Sequence, residues 1–475
     1  MVEILTPDIC VIGAGSGGLS VAAAAAAFGV PVVLVEKGKM GGECLNAGCV
    51  PSKSLIAAAK HAHAIADAKA FGLLPRGFEV DFAGVHQHVH DVIAAIAPND
   101  STARFTGLGV SVIAGAARFT DRDTVVVGDE VAIRARRFVI ASGSSPALPP
   151  IPGLMETPHL TNETVFDLIE RPEHLIVVGA GPVGLELAQA FRRLGSAVTV
   201  LETGHPLVRE DPECAQVVLD ALAREGIGLR TGTSVLRLQR ANGKVNVVVR
   251  AQAGEETISG SHLLLATGRR ANVYGLGLDI AGIRQDHAGI AVDKGLRTTN
   301  RRVYAIGDVA GGAQFTHLAN HQAGMVIRNA LFRLPARVNE HVIPRVTFTD
   351  PELAHVGLTE LEARDRGVAF RVLRWPFHEN DRAQAERATD GHVKIITTRR
   401  GRILGATIVT AGAGDLIVPW ALAVSRKLNI RAIAGMVVPY PTRAEVGKRA
   451  AMTYFTPVLS SRFVRRMIIF LRRFG

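Results

Sequence analysis

A chain of 475 residues carrying 49 glycines and 54 basic against 43 acidic side chains is too long for one core and divides into two or three domains. Its net charge of +11 suits anionic partners such as nucleotide phosphates or a membrane surface, but no basic run interleaved with aromatics precedes the C-terminus, which argues against nucleic acid. Four cysteines without a secretory signal point to a reducing cytoplasm and leave Cys10 and Cys214 as buried apolar side chains.

The uncharged run from Ile9 to Val35 is long enough to span a bilayer, yet five glycines and Pro31 break it into strand, turn and helix, and no transmembrane segment is predicted. Asp8 to Gly13 reads as a short strand entering Gly13-x-Gly15-x-x-Gly18, followed by an alanine-rich helix from Leu19 to Phe28 and a second strand, Val32 to Val35, ending at Glu36. This is a dinucleotide-binding βαβ unit: glycines let the backbone approach a pyrophosphate at the helix N-terminus, and Glu36 lies where a carboxylate accepts from ribose hydroxyls.

Gly41 to Lys53, GGECLNAGCVPSK, holds Cys44 and Cys49 five positions apart. On a regular helix that spacing is too wide for an S–S bond, which needs Cα atoms within roughly 7 Å. Gly48 and the glycine pair before Cys44 allow the chain to bend and close the gap. A short, strained, accessible disulfide would be the labile, electron-exchanging kind; two unrelated buried thiols are the alternative.

From Ser54 to about Ala97 the composition is helical, with His86-x-His88-x-His90 inside it. Without cysteines or a dense carboxylate cluster beside them, these histidines read as polar helix faces rather than metal ligands. Val110 to Val139 alternates as short strands, and Pro146, Pro149, Pro150 and Pro152 make a stiff linker at a domain boundary. The first pattern then recurs: Leu175 to Val178 leads into Gly179-x-Gly181-x-x-Gly184, a helix from Leu185 to Leu194, and a strand from Ala197 to Leu201 ending at Glu202, with the spacing of Gly13 to Glu36 repeated. Two such units imply two dinucleotides. Glu202 favours NADH over NADPH because a carboxylate there repels a ribose 2′-phosphate; His205 and Arg209 just beyond soften that preference.

The two fingerprints flank a segment, GGECLNAGCVPSK, that resembles the redox-active stretch of the flavin-dependent pyridine nucleotide–disulfide oxidoreductases, a family that includes dihydrolipoamide dehydrogenase, glutathione reductase and mercuric reductase. The resemblance extends over nearly the whole chain. It implies an α/β protein with two doubly wound, Rossmann-like domains and an α+β C-terminal dimerisation domain: an FAD-binding domain in two parts (1–150 and 273–343), an NAD(P)-binding domain (151–272) and the dimerisation domain (344–475). FAD would belong to the first fingerprint and NAD(P)H to the second. Gly115-Ala-Ala117 resembles the contact to the FAD adenine, Ser142-Gly143-Ser144 and Thr267-Gly268-Arg269 the exit turns of the two units, Asp308 the aspartate that bonds the ribityl chain, and His317-Leu-Ala319 the start of a helix whose dipole faces the flavin pyrimidine. Cys49 would be the flavin-proximal thiolate and Cys44 the exposed thiol that exchanges with substrate. Lys53 would lie near flavin N5 and pair with Glu186.

From about Pro344 onward, Val346 to Pro351 and Val356-Gly357 resemble the opening of the interface domain of a homodimer. Pro439-Tyr440-Pro441-Thr442-Arg-Ala-Glu445 falls where most members carry a His-Pro…Glu dyad that reaches the partner's cysteines. Here Tyr440 stands at the histidine position, and a tyrosine, with an unperturbed pKa near 10, is a poor base at neutral pH. The Tyr, and Arg209-Glu-Asp-Pro212, resemble mercuric reductases, although the C-terminal cysteine pair and N-terminal metal-binding domain of those enzymes are absent from this sequence. The expected function is therefore an FAD-dependent NAD(P)H disulfide or dithiol oxidoreductase of the dihydrolipoamide dehydrogenase type. Reduction of a soft metal ion such as Hg(II) is the first alternative and a membrane-docked flavoprotein with vestigial redox activity the second. Residues 462–474 would wind into a helix with Phe463, Met467, Phe470, Leu471 and Phe474 on one side and most of its arginines on the other, an element for peripheral contact with anionic lipid, for an acidic partner, or for packing on the dimerisation domain. The expected setting is the cytoplasm, with peripheral contact at the inner membrane surface.

Overall fold

The computed structural model describes residues 3–252, 254–459 and 461–474. Contacts divide the chain into two compact units, one of residues 1–203 and 229–338, the other of residues 204–228 and 339–475.

The first unit holds two parallel sheets. One is five-stranded, in the order Val303–Ala305, Arg137–Ile140, Ile9–Ile12, Val32–Glu36, Val110–Ala114. Its central strands are apolar without a break because both faces are covered. Ile9, Val11 and Leu34 point into one core with the helices Ser16–Ala27 and Thr316–Ala330, while Cys10, Ile12 and Val35 point into another with Phe138 and Ile140. Cys10 is thus a core side chain, as its apolar setting suggests. The other parallel sheet runs through Ala197–Leu201, His174–Val178 and His262–Leu265, with the helix Pro182–Arg193 packed on it. The doubly wound α/β architecture follows from both fingerprints.

The helical stretch expected between Ser54 and Ala97 is interrupted. One helix runs Cys49–Asp67 and a second Phe82–Ile96, and residues 73–81 between them carry no regular structure. Pro75 and the left-handed Gly72 and Gly77 break the periodicity. His86, His88 and His90 lie on the second helix, where the rings of His86 and His90 sit 4.2 Å apart.

The second unit is built on an antiparallel five-stranded sheet, Arg345–Thr347, Glu352–Gly357, Ile403–Thr410, His392–Thr398 and Phe370–Pro376. Trp420, Phe377, Ile408 and Val446 fill its core. The helix Pro212–Arg224 belongs to the same unit and turns Cys214 inward to a fully buried position. Among the described residues, no helix is long and apolar enough to cross a membrane.

Candidate active site

Two successive helices, one short and one long, carry the cysteines. Gly41 and Gly42 both adopt positive φ and start the helix Gly42–Asn46, which bears Cys44; the chain breaks at Ala47-Gly48 and restarts at Cys49 as the first residue of a 19-residue helix. A Cβ on Gly48 would stand 3.0 Å from the Glu43 carbonyl oxygen and 3.3 Å from Cys44 Cα. That close fold-back brings the two thiols into contact, and they are held as free thiols joined by a side-chain hydrogen bond.

The pair is electrostatically asymmetric. Cys44 donates to Cys49, which lowers the Cys49 pKa to about 6 against the opposing effect of burial, with the Thr316 hydroxyl and the Lys53 charge helping. The same contact, together with burial, pushes the Cys44 thiol up. Cys49 begins its own helix, and its Sγ lies 3.3 Å from Thr316 Oγ1, the first residue of Thr316–Ala330. Two helix N-termini therefore favour the thiolate at Cys49. Within this chain Cys49 is exposed and Cys44 half-buried.

Glu43 receives both terminal nitrogens of Arg269 and, at 2.6 Å, Asn162 Nδ2. Burial raises the Glu43 carboxyl while Arg269 pulls it down. Arg269 Nε in turn donates to Ser144 Oγ at 2.8 Å, and Ser144 Oγ donates to Asp308 at 2.5 Å. One guanidinium thus ties the thiol helix, the Ser142-Gly143-Ser144 turn and Asp308 together. Glu43, Asn162, Arg269 as a site residue and Thr316 were not legible as site residues, because their roles come from contacts separated by 115 to 267 positions. Lys53 Nζ lies 2.8 Å from Glu186 Oε2, so helix Cys49–Asp67 and helix Pro182–Arg193 meet through that pair.

The glycine turns fit dinucleotides. At Gly13 and Gly179 a Cβ would collide with the Ala141 and Ala266 carbonyls, and at Gly18 and Gly184 with the carbonyls of Gly13 and Gly179. The middle glycines differ: Gly181 has nothing within 4 Å of that position, and Gly15 has only Gly42 Cα at 4.0 Å. Tight first and third glycines with open space over the second form a cradle for a pyrophosphate. Glu36 accepts from Ala14 N at 2.5 Å and Gly38 N at 2.7 Å, and Glu202 accepts from Ala180 N at 2.8 Å, the same geometry in both units. Gly115 N bonds the Glu36 carbonyl at 2.8 Å, which places the strand beginning at Ala117 beside that end of the first fingerprint. Gly143 and Gly268 take positive φ at the exit turns. Ala319 is buried against Gly307, while His317 is exposed and stacks on Phe315.

A profile described as pyridine nucleotide-disulphide oxidoreductase matches residues 7–323, and that family's dimerisation domain matches residues 343–451. The chain belongs to the pyridine nucleotide-disulphide oxidoreductases. Members of this family depend on FAD and take electrons from NAD(P)H, and the matched dimerisation domain supports a homodimer. The oxidoreductase is 36% identical over 450 residues to a mercuric reductase of Bacillus cereus, covering 94% of this chain and 71% of that one. It is 33% identical over 451 residues to a dihydrolipoyl dehydrogenase of Geobacillus stearothermophilus, covering 94% and 95%. Among solved structures it is similar to LpdA from Mycobacterium tuberculosis, with a TM-score of 0.86, 28% identity and coverage of 95% and 99%. It is also similar to the Cu(II) complex of the HOCl-induced flavoprotein disulfide reductase RclA from Escherichia coli, with a TM-score of 0.83, 27% identity and coverage of 93% and 98%.

In the oxidoreductase's second unit Tyr440 is 69% exposed and its hydroxyl donates to Asp381 Oδ2 at 2.8 Å. That bond and the Asp381 charge raise the phenol's pKa. Glu445, half-buried, opens the helix Glu445–Met452. Tyr440 therefore pairs with Asp381, a residue no sequence motif marks. Asn380 Nδ2 holds the loop in place through the Thr442 carbonyl at 3.1 Å.

Proposed function

We propose that the protein is an NAD(P)H-dependent flavoenzyme in which Cys44 and Cys49 would ligate a soft, thiol-seeking metal ion such as Hg(II), the electron pair for its reduction coming from NAD(P)H by way of FAD. The observation that carries this reading is the Tyr440 hydroxyl bonded to Asp381. A dithiol substrate needs a base to remove its proton, and a phenol whose pKa is raised by a neighbouring carboxylate is a weaker base-site for neutral pH than an imidazole. A soft cation needs thiolate ligands instead, and the Cys49 thiolate with its neighbour Cys44 supplies them. The mercuric reductase relatives and the Cu(II) complex of a structural neighbour support the same direction.

Bound FAD would supply two-electron transfer between nicotinamide and the thiol pair. The chain's own residues do the rest. Gly13, Gly15, Gly18, Glu36, Ala117, Ser142, Gly143, Ser144, Asp308, His317 and Ala319 would hold FAD, and Gly179, Gly181, Gly184, Glu186, Glu202 and Gly268 the nicotinamide dinucleotide, with NADH favoured by Glu202. Lys53 would place a positive charge near the flavin and near Cys49. The exposed face of Cys49 suits contact with a flat ring, leaving Cys44 to meet the acceptor. Tyr440 and Glu445 of one protomer would reach the other's thiols. FAD segments 1–150 and 273–343, an NAD(P) segment 151–272 and a dimerisation segment 344–475 would divide these tasks.

A second reading, a lipoamide-type dithiol oxidoreductase, is favoured by the dihydrolipoyl dehydrogenase relatives. An acceptor panel with the FAD-loaded enzyme separates them. NAD(P)H oxidation should be stimulated most by Hg(II), and less by lipoamide, glutathione disulfide, quinones or oxygen. Lipoamide as the best acceptor would overturn the metal reading. Tyr440→His should raise lipoamide turnover by about tenfold or more, since a positioned base contributes roughly 10²–10⁴; an unchanged or lower rate would show that Tyr440 does not limit dithiol chemistry.

A further inference from the structure

The helix Arg462–Leu471 is capped by Ser461, whose Oγ accepts from the Val464 N–H. It lies beyond the matched dimerisation segment, residues 343–451, and the redox reading gives it no task. None of its residues is buried: Phe463 is 75% exposed, and just past its end Phe474 is 74% exposed. At about 100° per residue, Phe463, Met467, Ile468, Phe470, Leu471 and Phe474 span an arc of roughly 160°. Five arginines, Arg462, Arg465, Arg466, Arg472 and Arg473, fill the remaining arc with Ile469 among them, and no Asp or Glu occurs from 462 to 474.

The order around the helix identifies the occupant. Arg466 borders one edge of the apolar arc and Arg472 the other. A helix lying in the plane of a bilayer needs this arrangement, with apolar side chains entering the acyl boundary and guanidinium groups on both flanks rising to the phosphates. Ten helical residues are too few to cross a hydrocarbon core, which takes about 20. A second copy of this helix seated on the apolar arc fits poorly, because it carries no Asp or Glu to meet the guanidinium groups on either flank. We infer that residues 462–474 dock the enzyme peripherally on a lipid surface rich in anionic headgroups.

The test uses the FAD-loaded full-length protein sedimented with vesicles of phosphatidylcholine, with or without phosphatidylglycerol. Binding should require phosphatidylglycerol and weaken with added salt. Truncation after Ser461 should abolish it while FAD content, NAD(P)H oxidation and the dimer are retained. Arg472→Gln with Arg473→Gln should raise the lipid concentration for half-binding at least tenfold, each arginine near an anionic leaflet being worth roughly fivefold. Phe463→Ser with Phe470→Ser should weaken binding to the same vesicles with the arginines intact. Unchanged sedimentation after truncation would overturn the inference. So would conversion of the dimer to monomer by truncation, which would assign the helix to the subunit interface, or binding to polyglutamate without binding to vesicles, which would assign it to an acidic protein partner.

Discussion

At the scale of single residues, the site's chemistry rests on a thiol made acidic by its neighbours. The thiolate is the reactive form of cysteine, so a pKa lowered to about 6 makes Cys49 anionic throughout the neutral range. Alkylation of the reduced enzyme, followed by peptide mapping, should rise through pH 6 and be level by pH 7. Cys44→Ala removes the largest stabilising contact and should move that rise to higher pH, and Thr316→Val should move it less. A Cys49 that titrates near the ordinary thiol value of about 8.5 would show that the two helix N-termini and the Cys44 donor do not act as described. Glu43 and Arg269 offer a second residue-scale case. Glu43→Ala strips Arg269 of its carboxylate and releases Asn162, and hydrogen bonds to charged groups are worth about 1.5–3 kcal/mol each. Partial exposure of both partners reduces this, so a loss of about 2 kcal/mol of unfolding free energy is expected, read by denaturant melts, with slower reoxidation of the thiol pair. Arg269→Lys should rescue little, because a point charge cannot replace the two-pronged contact.

Among the elements, the second unit owes part of its cohesion to a charge cluster joining helix Pro212–Arg224 to the sheet. Lys394 on strand His392–Thr398 reaches Asp211 at 2.8 Å, Glu213 at 2.9 Å and Glu360 at 2.9 Å, and is itself buried. Burial pushes the Glu213 carboxyl up, but the hydrogen bonds from Arg374 and Lys394 outweigh it and hold it at about 2. A carboxyl lowered in the folded state adds stability above its unfolded value near 4.5 and loses it as pH falls toward 2. Melting temperature should therefore decline steeply between those limits, and Glu213→Gln should flatten that decline. Lys394→Met takes the cation from buried Asp211 and leaves Glu213 and Glu360 to Arg374, and loss of one partner from a buried pair costs about 3–5 kcal/mol. A variant that melts within a degree of the parent would refute that role. Cys214, 3.4 Å from His392 Nε2, has its thiol pushed up by burial, so this pair is packing and not a nucleophile.

For the whole molecule, the sequence made the repeated parts readable and hid the parts that arise from folding. Both fingerprints are local: spacing alone carries the strand, the glycines and the terminal carboxylate, and the two sheets follow. The thiol segment was also legible, because Gly41, Gly42 and Gly48 mark where the chain bends. The break between Asp67 and Phe82 was obscured by alanine-rich flanks on either side. Asp381 and the Arg269 junction could not be seen, since nothing near them in sequence indicates what they touch. The same limit applies to Tyr440, whose proposed target lies on another copy of the chain. Mixed dimers decide that point. One subunit carries Cys44→Ser and Cys49→Ser, the other Tyr440→Ala, and each homodimer should be nearly inactive. If Tyr440 serves its partner's thiols, the heterodimer holds one complete site out of two and should recover about half of the parental rate, as twofold symmetry requires. If Tyr440 serves the thiols of its own chain, neither site is complete and the mixture stays as inactive as its parents. Differential tags on the two subunits allow the heterodimer to be isolated and its NAD(P)H oxidation with Hg(II) measured directly.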